Sequence, residues 1–489
     1  MTELNWLEHT RMLPKGPQLK GYDHLMKQKW FAMFSDPGTG KTKLCFDIFC
    51  TKATLDEVDT LIVFAYPSEV HIQWVVEQFE KHWWTNLKER RNAWDGKKLP
   101  DWALKAPKEG EKHILTFNIE SLRSKKVFEP LLDLVKRRGD RIMFVIDESQ
   151  TIKNKESKSW FRANSLGKFC ENKGIMTGTP IAKSLVDEWS QFCFLSEDII
   201  GIEYKTAFQA QFCVMGGRDG REFIGARQLD VFNRLIAPYT FRATRQEFGI
   251  PDAMPPDELV FNLTPEQRTA QESLRETFLL EYDRLANNFG TDVPVGELLT
   301  ISNIGVLFLK LQQIGGGYIV GNDKELHWLK ENPRIEAFDQ FQAIQDDKLV
   351  VWCRFRPDIE LLKKRYGDKA VTYYGGNTRE EKQAAKKAFI NDDKVRLFIA
   401  NPASAGTGTD GLQYVCRKGI YYSHTFNSIL RTQSEMRTCR LGSTEVGLYL
   451  DIIARAGIDR FVINNVKGKR SFADLALGDL KNAIEELET

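Results

Sequence analysis

The chain has 489 residues, 42% of them hydrophobic and 28% charged, with a formal net charge of only +2. That length predicts more than one domain, each able to bury its own core. The near-neutral balance excludes holding nucleic acid by bulk charge, so a binder of this size needs a local basic surface.

The eight cysteines are Cys45, Cys50, Cys170, Cys193, Cys213, Cys353, Cys416 and Cys439. None shows the close spacing of a zinc site, and the pattern is that of a reducing, intracellular (cytoplasmic) compartment. The polar opening MTELNWLEHT is unlike a signal peptide, and no apolar run approaches a membrane span.

Short apolar runs predict strands at Trp30–Phe34, Leu61–Ala65, His113–Phe117, Met143–Ile146 and Gly174–Met176. They alternate with helical stretches such as Val70–His82 and Phe128–Arg138, the signature of an open parallel sheet with covering helices. The first strand runs into Ser35-Asp36-Pro37-Gly38-Thr39-Gly40-Lys41-Thr42 and then into a helical pattern. Glycines there permit a tight turn whose N–H groups face phosphates. Lys41 would reach the β/γ-phosphates and the Thr42 hydroxyl would hold Mg²⁺, so ATP and Mg²⁺ are the expected ligands. The fourth strand ends in Asp147 and Glu148, a placement suited to holding Mg²⁺ and polarising an attacking water, respectively.

Between residues 83 and 112 the chain is rich in Lys, Arg and Trp, with acids interleaved. It reads either as a DNA-facing loop or as a solvated insertion, and Trp83, Trp84, Trp94 and Trp102 are candidates for a strand-separating wedge. From 201 to 333 the text reads mostly helical, broken by Pro238, Pro251, Pro255 and Pro256.

A second block predicts strands at Leu349–Cys353, Ala370–Tyr373, Arg396–Ala400, Gly419–Tyr422 and Gly447–Asp451, with helices at Asp358–Tyr366, Thr378–Phe389 and Ile429–Cys439. The last helix puts Arg437 and Arg440, three apart, on one face. There they would supply positive charge to a departing γ-phosphate unless they are simply a solvated basic face. Gly406, Gly408 and Gly411 match a dinucleotide fingerprint by spacing, but the preceding strand ends too early, which leaves a loop contacting ATP or DNA. Leu475, Leu477, Leu480 and Ile484 read as a closing amphipathic helix. His71, His82 and His424 lack partners at ligand spacing and read as structural.

The fold class expected is therefore α/β: lobe 1 at 1–200, a helical middle at 201–333 and lobe 2 at 334–489, with a cleft between lobes as the ligand location.

Several runs resemble those of the Swi/Snf-type branch of helicase superfamily two. Asp147-Glu148-Ser149-Gln150-Thr151-Ile152-Lys153-Asn154 with Ser157 resembles its acidic box and tail. Thr177-Gly178-Thr179-Pro180-Ile181 with Glu188-Trp189 resembles its T-G-T-P-I segment, and Gln73-Trp74 its Q-W segment. Tyr374-Gly375-Gly376 and Gln433, Arg437, Arg440 and Gly442 resemble its later boxes. Pro37, Ser149 and Ser443 depart from the family text.

The resemblance implies two RecA-like lobes and an ATP-driven motor on double-stranded DNA. Residue by residue, it implies Glu148, Gln150, Arg437 and Arg440 as catalytic. Gln18, Gly38, Thr39, Gly40, Lys41, Thr42 and Asp410 would bind the nucleotide, with Thr42 and Asp147 at the metal. Ser68, Gln73, Thr116, Arg354, Gly376 and Ser404 would touch DNA. Such contacts position without reading bases, so little sequence preference is expected. A strand-separating or branch-migrating helicase and an ATP-switched DNA-binding regulator stay open as alternatives, whereas an RNA motor fits the Gln150–Ser157 text less well.

Overall fold

The computed structural model describes residues 6–66, 70–181, 184–216, 222–289, 301–321, 325–405, 409, 411–443 and 445–468. The chain forms two compact units that meet at Ile250 and Pro251.

The first unit holds strands β1 (Trp30–Met33), β2 (Thr60–Ala65), β3 (Lys88–Ala93), β4 (Glu111–Asn118), β5 (Ile142–Asp147) and β6 (Asn172–Met176), a hairpin of β7 (Cys213–Gly216) and β8 (Glu222–Ala226), and β9 (Thr240–Phe241). Seven of them form one parallel sheet in the order β3-β4-β2-β5-β6-β1-β9. Side chains alternate between its faces. Ala32, Ile62, Phe64, Phe144 and Ile146 enter one core, while Phe31, Met33, Leu61, Val63, Met143 and Val145 enter the other.

The second of these cores is covered by α1 (Gly16–Leu25), α2 (Lys41–Thr54), α3 (Val70–Val75) and α4 (Glu77–His82). The first is covered by α5 (Lys125–Arg138), α6 (Lys158–Gly167) and α7 (Leu185–Leu195), joined by α8 (Lys205–Phe212) and α9 (Leu229–Ile236). Both faces of the sheet are thus buried, which is why its central strands read as short apolar runs. Ser157 caps α6 by accepting the Trp160 N–H at 3.1 Å.

The second unit has its own parallel sheet. It contains β10 (Asp257–Phe261), β13 (Leu349–Trp352), β14 (Ala370–Tyr373), β15 (Leu397–Ala400), β16 (Lys418–Tyr421) and β17 (Leu448–Ala454), in the order β10-β17-β16-β13-β15-β14. A separate hairpin joins β11 (Tyr318–Val320) to β12 (Leu326–Trp328). The helices are α10 (Pro265–Phe289), α11 (Ile301–Gly315), α12 (Pro333–Ala343), α13 (Arg356–Tyr366), α14 (Arg379–Asn391), α15 (Pro402–Ala405), α16 (Ser428–Glu435) and α17 (Ile458–Lys467). The fold class is α/β, with two parallel-sheet lobes as the sequence led one to expect.

Three differences matter. Backbone hydrogen bonds tie parts of the supposed helical middle to the sheets, Thr240–Phe241 to the first and Asp257–Phe261 to the second. Lys88–Ala93 is an edge strand, not a loop, and its neighbourhood neutralises its own charge. Arg91 donates to the Val75 carbonyl and to Glu80, each at 2.9 Å, and Arg90 lies 3.5 Å from Glu111. Trp83 and Trp84 are buried and Trp94 and Trp102 pack on the core, so none of the four is an exposed wedge. The closing helix expected near Leu475–Ile484 lies outside the described residues. Among those residues, no helix is long and apolar enough to cross a membrane.

Candidate functional site

Sheet register assembles the site. Met33 and Asp147 both pair with Met176, on the strand between theirs. The chain therefore leaves β1, β5 and β6 at the same carboxyl edge, where ligands of open parallel sheets bind. Three segments start there: 34–40 after β1, 148–152 after β5, and 177–181 after β6.

The first is a phosphate loop. Gly38 and Gly40 have φ of 84° and 83°, a region open to glycine at no steric cost, and Gly40 is the N-cap of α2. The loop is closed by the Thr39 hydroxyl donating to the Asp36 carbonyl at 2.7 Å. Lys41 Nζ donates to the Ser35 and Asp36 carbonyls at 2.7 and 3.3 Å, so its charge sits over the loop. Gln18 is buried. Its amide donates to the Thr39 and Gly40 carbonyls at 3.2 Å each and accepts the Lys15 N–H. The glutamine thus braces the loop's backbone directly. Thr42 is half-buried in the first turn of α2.

Residues not singled out by the sequence reading hold this loop in place. The N–H groups of Phe34 and Asp36 donate to the carbonyls of Phe241 and Ala243 at 2.9 and 3.0 Å. The Arg245 N–H donates to Asp36 Oδ2 at 3.0 Å. Arg242 lies 5.1 Å above the Phe34 ring and pairs with the buried Glu188. A Cβ on Gly178 would stand 2.6 Å from the Pro37 ring, so only glycine lets the third segment lie against the first.

The acids follow. Asp147 is 9% exposed, and its Oδ2 accepts the Trp74 indole N–H at 3.0 Å. Burial, and then the neighbouring Glu148 charge, push its carboxyl up to about 7. Glu148 is held at φ 56° and ψ 57°, a left-handed conformation costing about 1–2 kcal/mol for a residue with a Cβ. Such an outlier points to a functional constraint. Gln150 donates to Glu148 Oε2 at 3.0 Å and accepts the Thr177 hydroxyl at 2.6 Å. Thr177 also accepts the Thr179 N–H at 3.0 Å, so the second and third segments are hydrogen-bonded together.

This donor set fits Mg²⁺. The ion takes hard oxygens from one or two carboxylates plus substrate phosphates, and Asp147 is a buried carboxylate near the Lys41 charge. Among the described residues no cluster of three or more His, Cys, Asp or Glu gathers as a metal cage.

The other predicted positions divide. Gln73 is half-buried on α3. Thr116 is fully buried and its hydroxyl donates to the His71 carbonyl at 2.7 Å; alternation along β4 turns it into the core, where it steadies α3 rather than facing a phosphate. Ser68 and Asp410 lie outside the described residues. In the second unit, Gly376 is exposed beside the Tyr374 ring and Ser404 is half-buried on α15. Arg354 lies over the rings of Phe355 and Phe426 at 5.0 and 5.5 Å.

Arg437 and Arg440 are not on a helix face. α16 stops at Glu435, and the chain continues in turns closed by Arg437 N–H to Ser434 and Ser443 N–H to Arg440. Packing sets that end: the Thr438 hydroxyl meets the Tyr449 hydroxyl at 2.7 Å and Cys439 is buried. The three histidines serve structure, as expected. His71 and His424 bond the Trp94 and Ile452 carbonyls, and His82 is buried.

A family model described as the SNF2-related domain matches residues 21–279. The chain is 22% identical over 363 residues to the putative ATP-dependent helicase/translocase YwqA of Bacillus subtilis, covering 70% of this chain and 36% of that protein. It is 21% identical over 403 residues to the TATA-binding protein-associated factor mot1 of Schizosaccharomyces pombe, covering 71% and 20%. It is 23% identical over 383 residues to the Zorya protein ZorD of Escherichia coli, covering 73% and 32%. The chain thus spans about a fifth to a third of the length of these relatives. The Sulfolobus solfataricus SWI2/SNF2 ATPase core in complex with dsDNA aligns with a TM-score of 0.43 at 20% identity, over 100% of this chain and 98% of that one. With the match covering more than half of its 489 residues, the chain belongs to the SNF2-related domain family.

Proposed function

We propose that this protein is a DNA-dependent ATPase that uses hydrolysis to move along double-stranded DNA, with little preference for sequence. The observation that carries the reading is the meeting of the phosphate loop, the Asp147–Glu148 pair and Thr177 at one sheet edge, with Glu148 held in a strained conformation by its neighbours.

In this reading the loop N–H groups and Lys41 bind the β- and γ-phosphates. Thr42 and Asp147 would hold Mg²⁺, which when bound neutralises charge on the phosphates. Glu148 orients and polarises the attacking water, and Gln150 fixes the Glu148 carboxylate while linking it to Thr177. A ligand charge change at the phosphate site therefore reaches the 177–181 segment through two hydrogen bonds. Arg437 and Arg440 are the second unit's candidates for the positive charge that the leaving γ-phosphate needs.

The DNA contacts proposed are Gln73, Arg354, Gly376 and Ser404, together with Ser68. These are groups that bind phosphate and sugar, and affinity should fall steeply with salt. The relatives described as ATP-dependent helicase or translocase support an ATP-driven motor.

A paired assay on one DNA tests movement. Displacement of a triplex strand reports travel along a duplex, and a fluorescent fork reports strand separation. Triplex displacement without fork opening is expected. Fork opening without triplex displacement would establish the strand-separating alternative instead.

A further inference from the structure

Gln312 lies on α11, outside every motif singled out above, and is 1% exposed. Its side chain joins two groups of opposite need. The Nε2 amide donates to the His424 carbonyl at 2.9 Å, and Oε1 accepts from the Arg354 guanidinium. A carbonyl can only accept and a guanidinium can only donate. An amide in this one orientation satisfies both; the reverse orientation would set donor against donor and acceptor against acceptor.

Arg354 is otherwise fixed through its backbone. Its N–H donates to the Ser423 hydroxyl at 2.8 Å, and its carbonyl accepts from Asn401 at 2.8 Å. The guanidinium itself is steered by Gln312 between the rings of Phe355 and Phe426. On the far side of Gln312, His424 donates through Nε2 to the Ile452 carbonyl at 2.8 Å. Asp451, on the strand that His424 bonds, accepts Arg431 at 2.7 Å. Arg431 belongs to α16, whose end leads into the turn carrying Arg437 and Arg440.

We infer that Gln312 is a positioning residue that aims the Arg354 guanidinium at a DNA phosphate and anchors it to the His424 backbone carbonyl. The inference rests on the reading of Arg354 as a DNA contact. A half-buried guanidinium left unaimed loses the preorganisation that a phosphate contact needs.

The test is binding of a fluorescein-labelled 30-base-pair duplex, followed by anisotropy at fixed salt in the intact chain. Gln312→Met, of similar length but without the donor and acceptor, should weaken binding about tenfold. Arg354→Gln should weaken it by a similar factor, and the double variant no further, because residues acting through one contact are not additive. Gln312→Glu keeps an oxygen for Arg354 but sets an acceptor against the His424 carbonyl, and should weaken binding about threefold, less than Gln312→Met. A role in packing alone predicts that Glu and Met variants fail alike, and that outcome overturns the inference. So does an unchanged Gln312→Met, or full additivity with Arg354→Gln. If the Met variant does not fold, the comparison of Gln312→Glu with Arg354→Gln still decides. Phosphate release from ATP, measured in parallel, separates the two claims. Wild type that binds duplex without hydrolysing ATP overturns the motor reading and leaves this one standing. Wild type that hydrolyses ATP on duplex while Gln312→Met binds normally overturns this one alone.

Discussion

The Trp74 indole donates to Asp147 Oδ2 at 3.0 Å, joining the Q-W segment on α3 to the acid at the end of β5. The hydrogen bond fixes one carboxylate oxygen of a group with little water around it. Two adjacent acids kept in this way are costly to the empty fold, as active-site charges commonly are. Asp147→Asn, which still accepts from Trp74, should raise the thermal midpoint of the nucleotide-free protein by about 2–4 °C, near 1 kcal/mol for a unit of this size, while abolishing ATP turnover. A fall in the midpoint would show that the charge stabilises the fold.

Glu148→Gln should retain ATP binding and lose turnover by about 10²–10⁴-fold, the range of a positioned general base. Filter binding of labelled ATP and a steady-state phosphate assay together check this. Turnover at the wild-type rate removes Glu148 from the chemistry.

Arg437→Ala and Arg440→Ala should each lower kcat by on the order of 10³, as loss of an arginine finger does, with smaller changes in ATP affinity because the charge acts on the transition state. Variants that bind ATP poorly yet turn over normally at saturation would assign both residues to ground-state binding.

Gly178→Ala places a methyl 2.6–2.7 Å from the Pro37 ring, which is rigid and part of the phosphate loop. Overpacking of this kind costs about 1–3 kcal/mol. ATP affinity should fall about tenfold together with a lowered melting midpoint, read by titration calorimetry and a thermal scan. Wild-type affinity would mean that the loop and the 177–181 segment need not touch.

Lys173 is buried, and burial pulls its ammonium down to about 8 from a value near 10.4 in the unfolded chain. Between those values the unfolded state binds more protons, so folding stability gains with rising pH across that window. Relative to Lys173→Met, the wild-type melting midpoint should therefore rise from pH 8 to pH 10. A constant difference would contradict the burial of the charge.

Much of this was legible in the sequence because burial on both sheet faces leaves short apolar runs, as at Leu61–Ala65 and Met143–Ile146, and because phosphate chemistry demands glycine, lysine and hydroxyl in fixed order. The edge strand Lys88–Ala93 was not, since an edge strand exposed to water carries no such run. Thr240–Phe241 is too short to leave a pattern, yet its Phe241 carbonyl positions Phe34. The end of α16 was missed because Thr438 is held by Tyr449 on the following strand, a contact that helical periodicity does not carry. Thr116 was misplaced because matching by position ignores which face of a strand is buried. The bracing by Gln312 and Arg242 depends on groups far apart in sequence.

Duplex DNA is expected to drive ATP hydrolysis at the site built around Lys41, Asp147 and Glu148. The most direct measurement is phosphate release from Mg-ATP by the purified chain, with and without a plain duplex and at low salt, with Glu148→Gln as control. At least tenfold stimulation by duplex DNA of unrelated sequences is expected, and none in the variant. Hydrolysis equal with and without duplex, or equal in the variant, would contradict it.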